Sequence, residues 1–279
     1  MIIRSLGSRS LCQHLVGVEL GSSRAIIRTR ASHDDDGVDA PGLAVLSEVA
    51  ATLASGVWVV APEHDQSGTS HSLSLHDPLR FSRRGDRRFA VGGTPADCVV
   101  MALRHLMVDK PPGLILSGVN RGANLGVETV LSGTVGAAMI GMLFGLPSIA
   151  LSQAFTGGEP VRWETARALA PRVIRRLFSL GWSSQACLSV NFPAVSPEQA
   201  GPLTPSRQGA GPLEDISVVA RKDQRSLDYY WLQTRRSNKQ DAPDSESALI
   251  AAGRVTVTPL QFERTDEVEL ADLKARFEG

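Results

Sequence analysis

From residue 40 onward the apolar positions alternate between helical spacing and short unbroken runs, the pattern of successive βα units. Leu43, Leu46, Val49 and Leu53 recur at helical spacing behind Pro41-Gly42, and Val57-Trp58-Val59-Val60 predicts the buried strand that follows. Thr94-Pro95-Ala96-Asp97 supplies a hydroxyl cap, a proline at the first helical position and an acid three residues after the cap, so a helix starts there ahead of Val99, Val100, Leu103 and Leu106. Leu114-Ile115-Leu116 reads as a buried strand ending in a polar, glycine-rich loop from Ser117 to Gly126. Ser132-Gly133-Thr134 opens a helical stretch through Leu143, and Pro147 to Leu151 forms the next strand. Trp163, Ala166, Ala170, Val173, Ile174 and Leu177 mark one helix face, with Arg172, Arg175 and Arg176 largely on the other. A strand from Leu188 to Pro193, a polar excursion over about residues 200–250, a strand from Val255 to Thr258 and a helix from about Asp266 to Phe277 complete the pattern. The expected fold is α/β, a Rossmann-like three-layer sandwich around a mostly parallel sheet.

Composition narrows the functions open to such a chain. Its 279 residues, 42% hydrophobic, can bury one substantial core. Lys plus Arg total 29 and Asp plus Glu total 29, so no basic excess exists to neutralise a nucleic-acid polymer by counterion release. Cys12, Cys98 and Cys187 are far apart and lie in or beside apolar runs, which reads as reduced core cysteines. Gly136, Gly141, Gly145 and Pro147 break the richest apolar stretch, so no membrane span is expected. Residues 1–32 differ from the rest, with Arg4, Arg9, Arg24, Arg28 and Arg30, no lysine and Glu19 as the single acid. They are set apart as an atypical amino-terminal segment, either unstructured or an organelle-targeting peptide. Residues 33–279 are read as one domain of a cytoplasmic protein, organelle targeting being the alternative.

Chemistry concentrates in three segments. His33-Asp34-Asp35-Asp36-Gly37-Val38-Asp39 packs four carboxylates into six residues, tolerable in an acidic surface turn or around a divalent cation. Hard oxygens of this kind suit Mg²⁺ or Mn²⁺ rather than zinc. After the next predicted strand comes Glu63-His64-Asp65-Gln66-Ser67-Gly68, and after the Leu114 strand comes Ser117-Gly118-Val119-Asn120-Arg121-Gly122-Ala123-Asn124. Strand carboxyl ends are where open α/β sheets bind ligands, so oxygens and amides from separate loops are brought to one edge. Ser132, Gly133 and Thr134 stand where a helix begins, and unpaired backbone N–H groups there suit an anion. They could equally cap a helix and shape a turn. His64, His71 and His76 fit no standard zinc spacing and read as surface histidines. Asp97 reads as a helix-start acid, and Cys98 as core.

The order of these segments resembles the SurE survival-protein family of metal-dependent 5′/3′-nucleotidases, strongly from about Asp34 to Ser152 and more weakly to the end. The likeness rests on Asp35-Asp36-Gly37, Val59-Val60-Ala61-Pro62, Ser67-Gly68, Gly93 to Cys98, Ser117 to Asn124 and Ser132 to Val135, with Asn191-Phe192-Pro193, Tyr230-Trp231-Leu232 and Val257-Thr258-Pro259-Leu260 behind them. The resemblance implies one divalent metal ion, Mg²⁺ or Mn²⁺, held by Asp35, Asp36, Ser67 and Asn120. It implies hydrolysis of nucleoside monophosphates, with Asp35 or Asp36 orienting or deprotonating water and with Asn124, Ser132, Gly133 and Thr134 on the substrate phosphate. It also implies a homodimer or homotetramer with an exchanged carboxyl-terminal arm.

Several residues depart from the family pattern. Arg28-Thr29-Arg30-Ala31-Ser32-His33 stands where an apolar strand usually leads into the acid pair, and Asp34 replaces the usual asparagine. Ile140 replaces a usual glutamate, and Leu131 a usual aromatic. Two other readings stay open at this level. One is a haloacid-dehalogenase-type phosphatase with Asp34 as nucleophile and Asp36 as general acid, because Asp34-Asp35-Asp36-Gly37-Val38 matches that signature too. The other is a catalytically degenerate relative that binds a nucleotide without turnover.

Overall fold

In the computed structural model, which describes residues 24–28, 37–237 and 241–278, the chain turns at Gly37–Asp39 and enters α1 (Pro41–Ala51). Pro41 fits the first helical turn because its missing N–H would have had no partner there. Leu43, Leu46 and Val49 bury one side of the helix, and the chain returns as β2 (Gly56–Pro62). Alternate residues of the sheet strands feed opposite faces, as the two-residue strand period requires. Val59, Leu116, Ile149 and Leu151 pack under α1 and α5 (Trp163–Leu180), whereas Val60 and Ile115 pack under α2 (Pro95–Met101) and α4 (Gly133–Leu143). The result is the expected three-layer α/β sandwich.

Among the described residues the main sheet has nine strands in the order β3-β4-β2-β1-β5-β6-β7-β11-β8. These are β1 (Arg24–Arg28), β3 (Phe81–Gly85), β4 (Arg88–Val91), β5 (Leu114–Arg121), β6 (Ser148–Gln153), β7 (Cys187–Phe192), β8 (Gly201–Pro205) and β11 (Arg254–Leu260), together with β2. Neighbours are parallel except at β3–β4 and β7–β11. From β1 the chain moves outward on one side through β2 and β4, and then crosses to β5 and moves outward on the other through β6 and β7. The order therefore reverses between β1 and β5, which opens a crevice at their carboxyl ends.

Four elements differ from the sequence pattern. Arg24–Arg28, inside the segment set apart at 1–32, pairs in parallel with both β2 and β5 in the middle of the sheet. Only Ala25-Ile26-Ile27 interrupts its arginines, too short a run to signal a buried strand. The segment from Ser117 to Arg121, expected as loop, extends β5, since Asn120 and Arg121 pair with Ser152 and Gln153 of β6 across a register shift. In the hairpin β3–β4, β3 is a charged edge strand and β4 buries only the short run Phe89-Ala90-Val91, which the sequence pattern did not single out. Finally, β8 lies within the expected polar excursion yet pairs with β11.

The rest of that excursion is a separate hairpin of β9 (Leu213–Lys222) and β10 (Asp228–Arg236), followed by α6 (Glu246–Ala251). Every residue of β10 is exposed, including Trp231 and Leu232. The last helix, α7 (Glu267–Glu278), has no buried residue. Among the described residues no helix is long and apolar enough to cross a membrane. Cys98 and Cys187 are buried free thiols, and burial pushes Cys187 up to about 12.

The amino end of α6 is pinned to the far end of the loop after β5. Glu246 is 1% exposed, and its carboxylate accepts the Gly126 N–H at 2.6 Å. Gln208 donates to the Gly126 carbonyl at 2.9 Å and to the Thr129 hydroxyl at 3.0 Å. Burial raises the Glu246 carboxyl above its ordinary value of 4.5, against the opposing hydrogen bond from Gly126. A carboxyl that holds its proton more tightly when folded favours the native state most in acid, and that contribution fades as pH rises through its raised value. Glu246→Gln should therefore gain stability relative to the wild type between about pH 4 and about pH 7. Denaturant midpoints measured across this range check it, and parallel curves for the two proteins would refute it.

Candidate functional site

The loop after β2 is shaped by Asp65, whose Oδ1 accepts both the Ser67 N–H at 2.8 Å and the Ser67 hydroxyl at 2.7 Å. This is an Asx-type turn, which sets Ser67 at the loop tip with its proton directed to a carboxylate. The Thr69 hydroxyl closes the turn on the Gln66 carbonyl at 2.8 Å. Beyond it, the Ser70 N–H donates to the Leu131 carbonyl at 3.1 Å, tying this loop to the start of α4.

The first turn of α4 accepts the loop because it carries glycine where the two backbones meet. A Cβ on Gly136 would lie 2.2 Å from the Ser70 carbonyl oxygen, and one on Gly133 would lie 3.3 Å from that of Gln66 and 2.7 Å from Pro95. Ser132 caps the helix, its hydroxyl accepting the Val135 N–H at 3.1 Å. The capping role considered for this residue is thus present. Thr134 is 1% exposed, and its hydroxyl has no hydrogen-bond partner among the described residues, nor does that of buried Ser117.

Asn120 ends the crevice on the β5 side and is 4% exposed. Its amide nitrogen donates to the Gly122 carbonyl at 2.7 Å and the Arg121 carbonyl at 3.2 Å. With both N–H bonds directed to carbonyls, the remaining Oδ1 is an uncommitted acceptor among the described residues. Asn124 is held more deeply. Its backbone N–H meets Asn191 Oδ1 at 2.9 Å, and its side-chain nitrogen donates to the Ser152 hydroxyl at 2.8 Å. Ser67, Asn120 and Asn124 line one cavity of about 380 Å³, with Arg121, Phe155 and residues of the β9–β10 hairpin on its other walls. A second cavity of about 370 Å³, between Thr129, Met139 and Arg264, contains none of the predicted site residues.

Asp34, Asp35 and Asp36 lie outside the described residues. The chain on either side of them is fixed at the crevice. Arg28 pairs with Ser117 of β5. On the other side Val38 is buried, and a Cβ on Gly42 would lie 2.0 Å from the Val119 carbonyl oxygen, so α1 begins directly against the residue before Asn120. Among the described residues no three His, Cys, Asp or Glu side chains gather, and the predicted ligands found at the crevice, Ser67 and Asn120, offer hydroxyl and amide oxygens. A hydroxyl whose proton is taken by Asp65 and an amide oxygen left over by its own N–H bonds are the neutral half of a hard-cation donor set. They fit Mg²⁺ or Mn²⁺ provided that carboxylates complete the set.

The remaining predicted positions are accounted for by packing. Asp97 accepts the Thr94 N–H at 2.7 Å and the Ser74 hydroxyl at 2.7 Å, as a helix-start acid does. His64 and His76 are exposed, and His71 packs edge-on against Phe262. Ile140, 4% exposed, belongs to the apolar layer with Ile115 and Ala137. Sequence reasoning left Asp65, Arg121, Phe155 and Arg236 without roles. Asp65-Gln66-Ser67 carries a readable Asx-turn signal, whereas Phe155 and Arg236 reach the cavity only through tertiary packing.

Comparison with known proteins bears on the family and the fold. The family model described as "Survival protein SurE" matches residues 33–215. A protein named 5′-nucleotidase SurE 1 from Burkholderia lata is 58% identical over 241 residues, covering 86% of this chain and 93% of its own. 5′-Nucleotidase SurE from Nitrobacter winogradskyi is 48% identical over 248 residues, covering 87% and 97% respectively. The crystal structure of the SurE protein from Aquifex aeolicus superposes with a TM-score of 0.75 at 30% identity, covering 90% of this chain and 98% of that one. Matches that run through the acidic segment and on to nearly the whole chain place that segment in this family rather than among the haloacid dehalogenases. With its switch-point crevice and its ordered loop motifs, the chain belongs to the SurE survival-protein family.

Proposed function

We propose that this protein is a phosphomonoesterase that hydrolyses nucleoside monophosphates to nucleoside and phosphate with the aid of one divalent metal ion. The observation that carries the reading is the meeting of the Ser67 hydroxyl and the Asn120 amide in one cavity, the amide having both N–H groups directed to carbonyls so that its Oδ1 is turned over to acceptance. The printed names of the relatives, 5′-nucleotidase, support the substrate class. Asp35 and Asp36 would join Ser67 and Asn120 in holding Mg²⁺ or Mn²⁺. Two charged and two neutral oxygens leave a dication with open positions for water and a phosphate oxygen. The bound ion would supply an activated water and offset charge on the phosphoryl group.

The chain's own groups do the rest. Backbone N–H groups of Gly133 and Thr134, the Thr134 hydroxyl and Asn124 are assigned to the phosphate, at a helix start that favours an anion. The buried Thr134 hydroxyl, unpartnered among the described residues, supports that assignment. Asp35 or Asp36 orients the attacking water and takes its proton. The phosphorus–oxygen ester bond breaks, and the nucleoside oxygen leaves with a proton. Exposed Val218, Trp231 and Leu232 on the β9–β10 hairpin support the further proposal of a homodimer or homotetramer that exchanges this arm.

Hydrolysis of AMP or GMP should require Mn²⁺ or Mg²⁺, cease with EDTA, and fall on the order of a hundredfold or more in Asp35→Ala. Phosphate release assays decide this, and full activity in EDTA would refute the metal requirement. Asp65→Ala should weaken Mn²⁺ binding about tenfold, with Asp65→Asn retaining most of the affinity, because the asparagine oxygen still accepts from Ser67. Calorimetric titration with the metal alone measures both, and an unchanged affinity in Asp65→Ala would remove Asp65 from the site.

A further inference from the structure

The cavity holding Ser67 and Asn120 does not end at the groups assigned to metal and phosphate. It continues past Arg121 to Phe155 and to Thr234 and Arg236 of the hairpin. Arg121 is the last residue of β5 and pairs with Gln153, the last residue of β6, so Phe155 follows two residues beyond the same strand end. The Arg121 guanidinium lies over the Phe155 ring, 4.9 Å from its centroid. Between ring and metal-side amide stands only Gly122, where a Cβ would meet Phe155 at 3.6 Å and the Asn120 amide at 3.9 Å.

The pair rests on a fixed base. Gln153 is fully buried, donates to the carbonyls of Ala154 at 3.0 Å and Pro193 at 2.9 Å, and accepts the Ala166 N–H at 3.0 Å. The Ala154 N–H is in turn bonded to the Phe192 carbonyl at 2.9 Å. Phe155 therefore leaves a strand end whose polar groups are already satisfied.

We propose that this half of the cavity is a nucleobase subsite, in which Phe155 and the Arg121 guanidinium form the stacking surface and favour purine over pyrimidine nucleotides. This rests on the nucleotidase reading and deepens it. An aromatic ring backed by a guanidinium attracts any flat π-system, and the larger purine face gains more from it. Guanidinium groups only donate hydrogen bonds, so Arg121 suits a base edge that presents acceptors, as the N7 and O6 atoms of guanine do, whereas Arg236 is paired with Glu128 at 2.7 Å. A phosphate held beside Asn120 and a base held on Phe155 would be bridged by the ribose across Gly122.

The test compares GMP, UMP and ribose 5-phosphate on the metal-loaded wild type, Phe155→Ala and Phe155→Leu. Phe155→Leu preserves apolar volume and serves if the alanine variant folds poorly. Wild type should prefer GMP to UMP, and in both variants the ratio of kcat/KM for GMP to that for ribose 5-phosphate should fall about tenfold, through KM rather than kcat. Phe155→Trp should restore the ratio. If GMP is hydrolysed and that ratio stays constant in the variants, the subsite is refuted while the nucleotidase reading stands. If wild type hydrolyses ribose 5-phosphate but no nucleotide, both fall.

Discussion

The approach of two backbones at the first turn of α4 is the constraint on which the site depends. The Ser70 carbonyl oxygen lies 2.2 Å from where a Cβ on Gly136 would stand. Because the contact is between main chains, no rotamer change could relieve a larger residue there, and the loop carrying Ser67 would have to move as a unit. That loop is internally rigid, since Asp65 takes both the backbone and the side-chain proton of Ser67. The hydroxyl at its tip is thus positioned from two sides, by its own turn and by the helix beneath it.

Sheet topology supplies the second half of the arrangement. With β1 between β2 and β5, the carboxyl end of β1 opens on the crevice flanked by the Ser67 loop and the end of β5. Ser67 and Asn120 offer neutral oxygens, and a dication held by these alone would remain largely uncompensated. Two adjacent carboxylates leading into a turn pinned at Val38 and Gly42 provide the missing charge in the proposed site without a separate scaffold. Their mutual repulsion, unfavourable for an isolated loop, would be relieved by the cation of the proposed site.

Much of this was legible in the sequence, for identifiable reasons. Helices with a cap and an apolar stripe, such as α2 behind Thr94 and α5 behind Trp163, announce themselves because local chemistry and burial agree. Paired runs such as Ile115-Leu116 and Ile149-Ala150 were readable as strands because both faces are covered. The strands that were not legible are those whose pairing is decided elsewhere in the chain. β1 and β4 are three-residue apolar runs next to arginines, β3 is a charged edge strand, and β8 takes its place from β11. Ser117 to Arg121 was hidden for a different reason: its polar and glycine residues carry a loop signal, yet β6 pairs with it to the end. The same division holds in the site. Ser67 and Asn120 stand in recognisable loop motifs, whereas Phe155 reaches the cavity through the pairing of β5 with β6, which no local spacing encodes.

The carboxyl-terminal third is therefore part of the site's support even where it projects from the sandwich. Gly126 ends the loop after β5 that carries Asn124, and both of its backbone polar groups are met from beyond residue 200, the N–H by Glu246 and the carbonyl by Gln208. An apolar residue at 246 would leave that buried N–H without a partner, at a cost of about 1–3 kcal/mol. A carboxylate removes that cost and introduces another, its own desolvation, which is why its proton is held more tightly than usual. The balance ties loop order to the return of the chain after the hairpin. A rearrangement of the arm that moved α6 would free the Gly126 end of the loop, while Asn191 and Ser152, on strands of the sandwich itself, would still hold Asn124. Coupling between arm and site should then run through residues 125–129 and spare the amide oxygen of Asn120, whose position is set by its own bonds to Arg121 and Gly122.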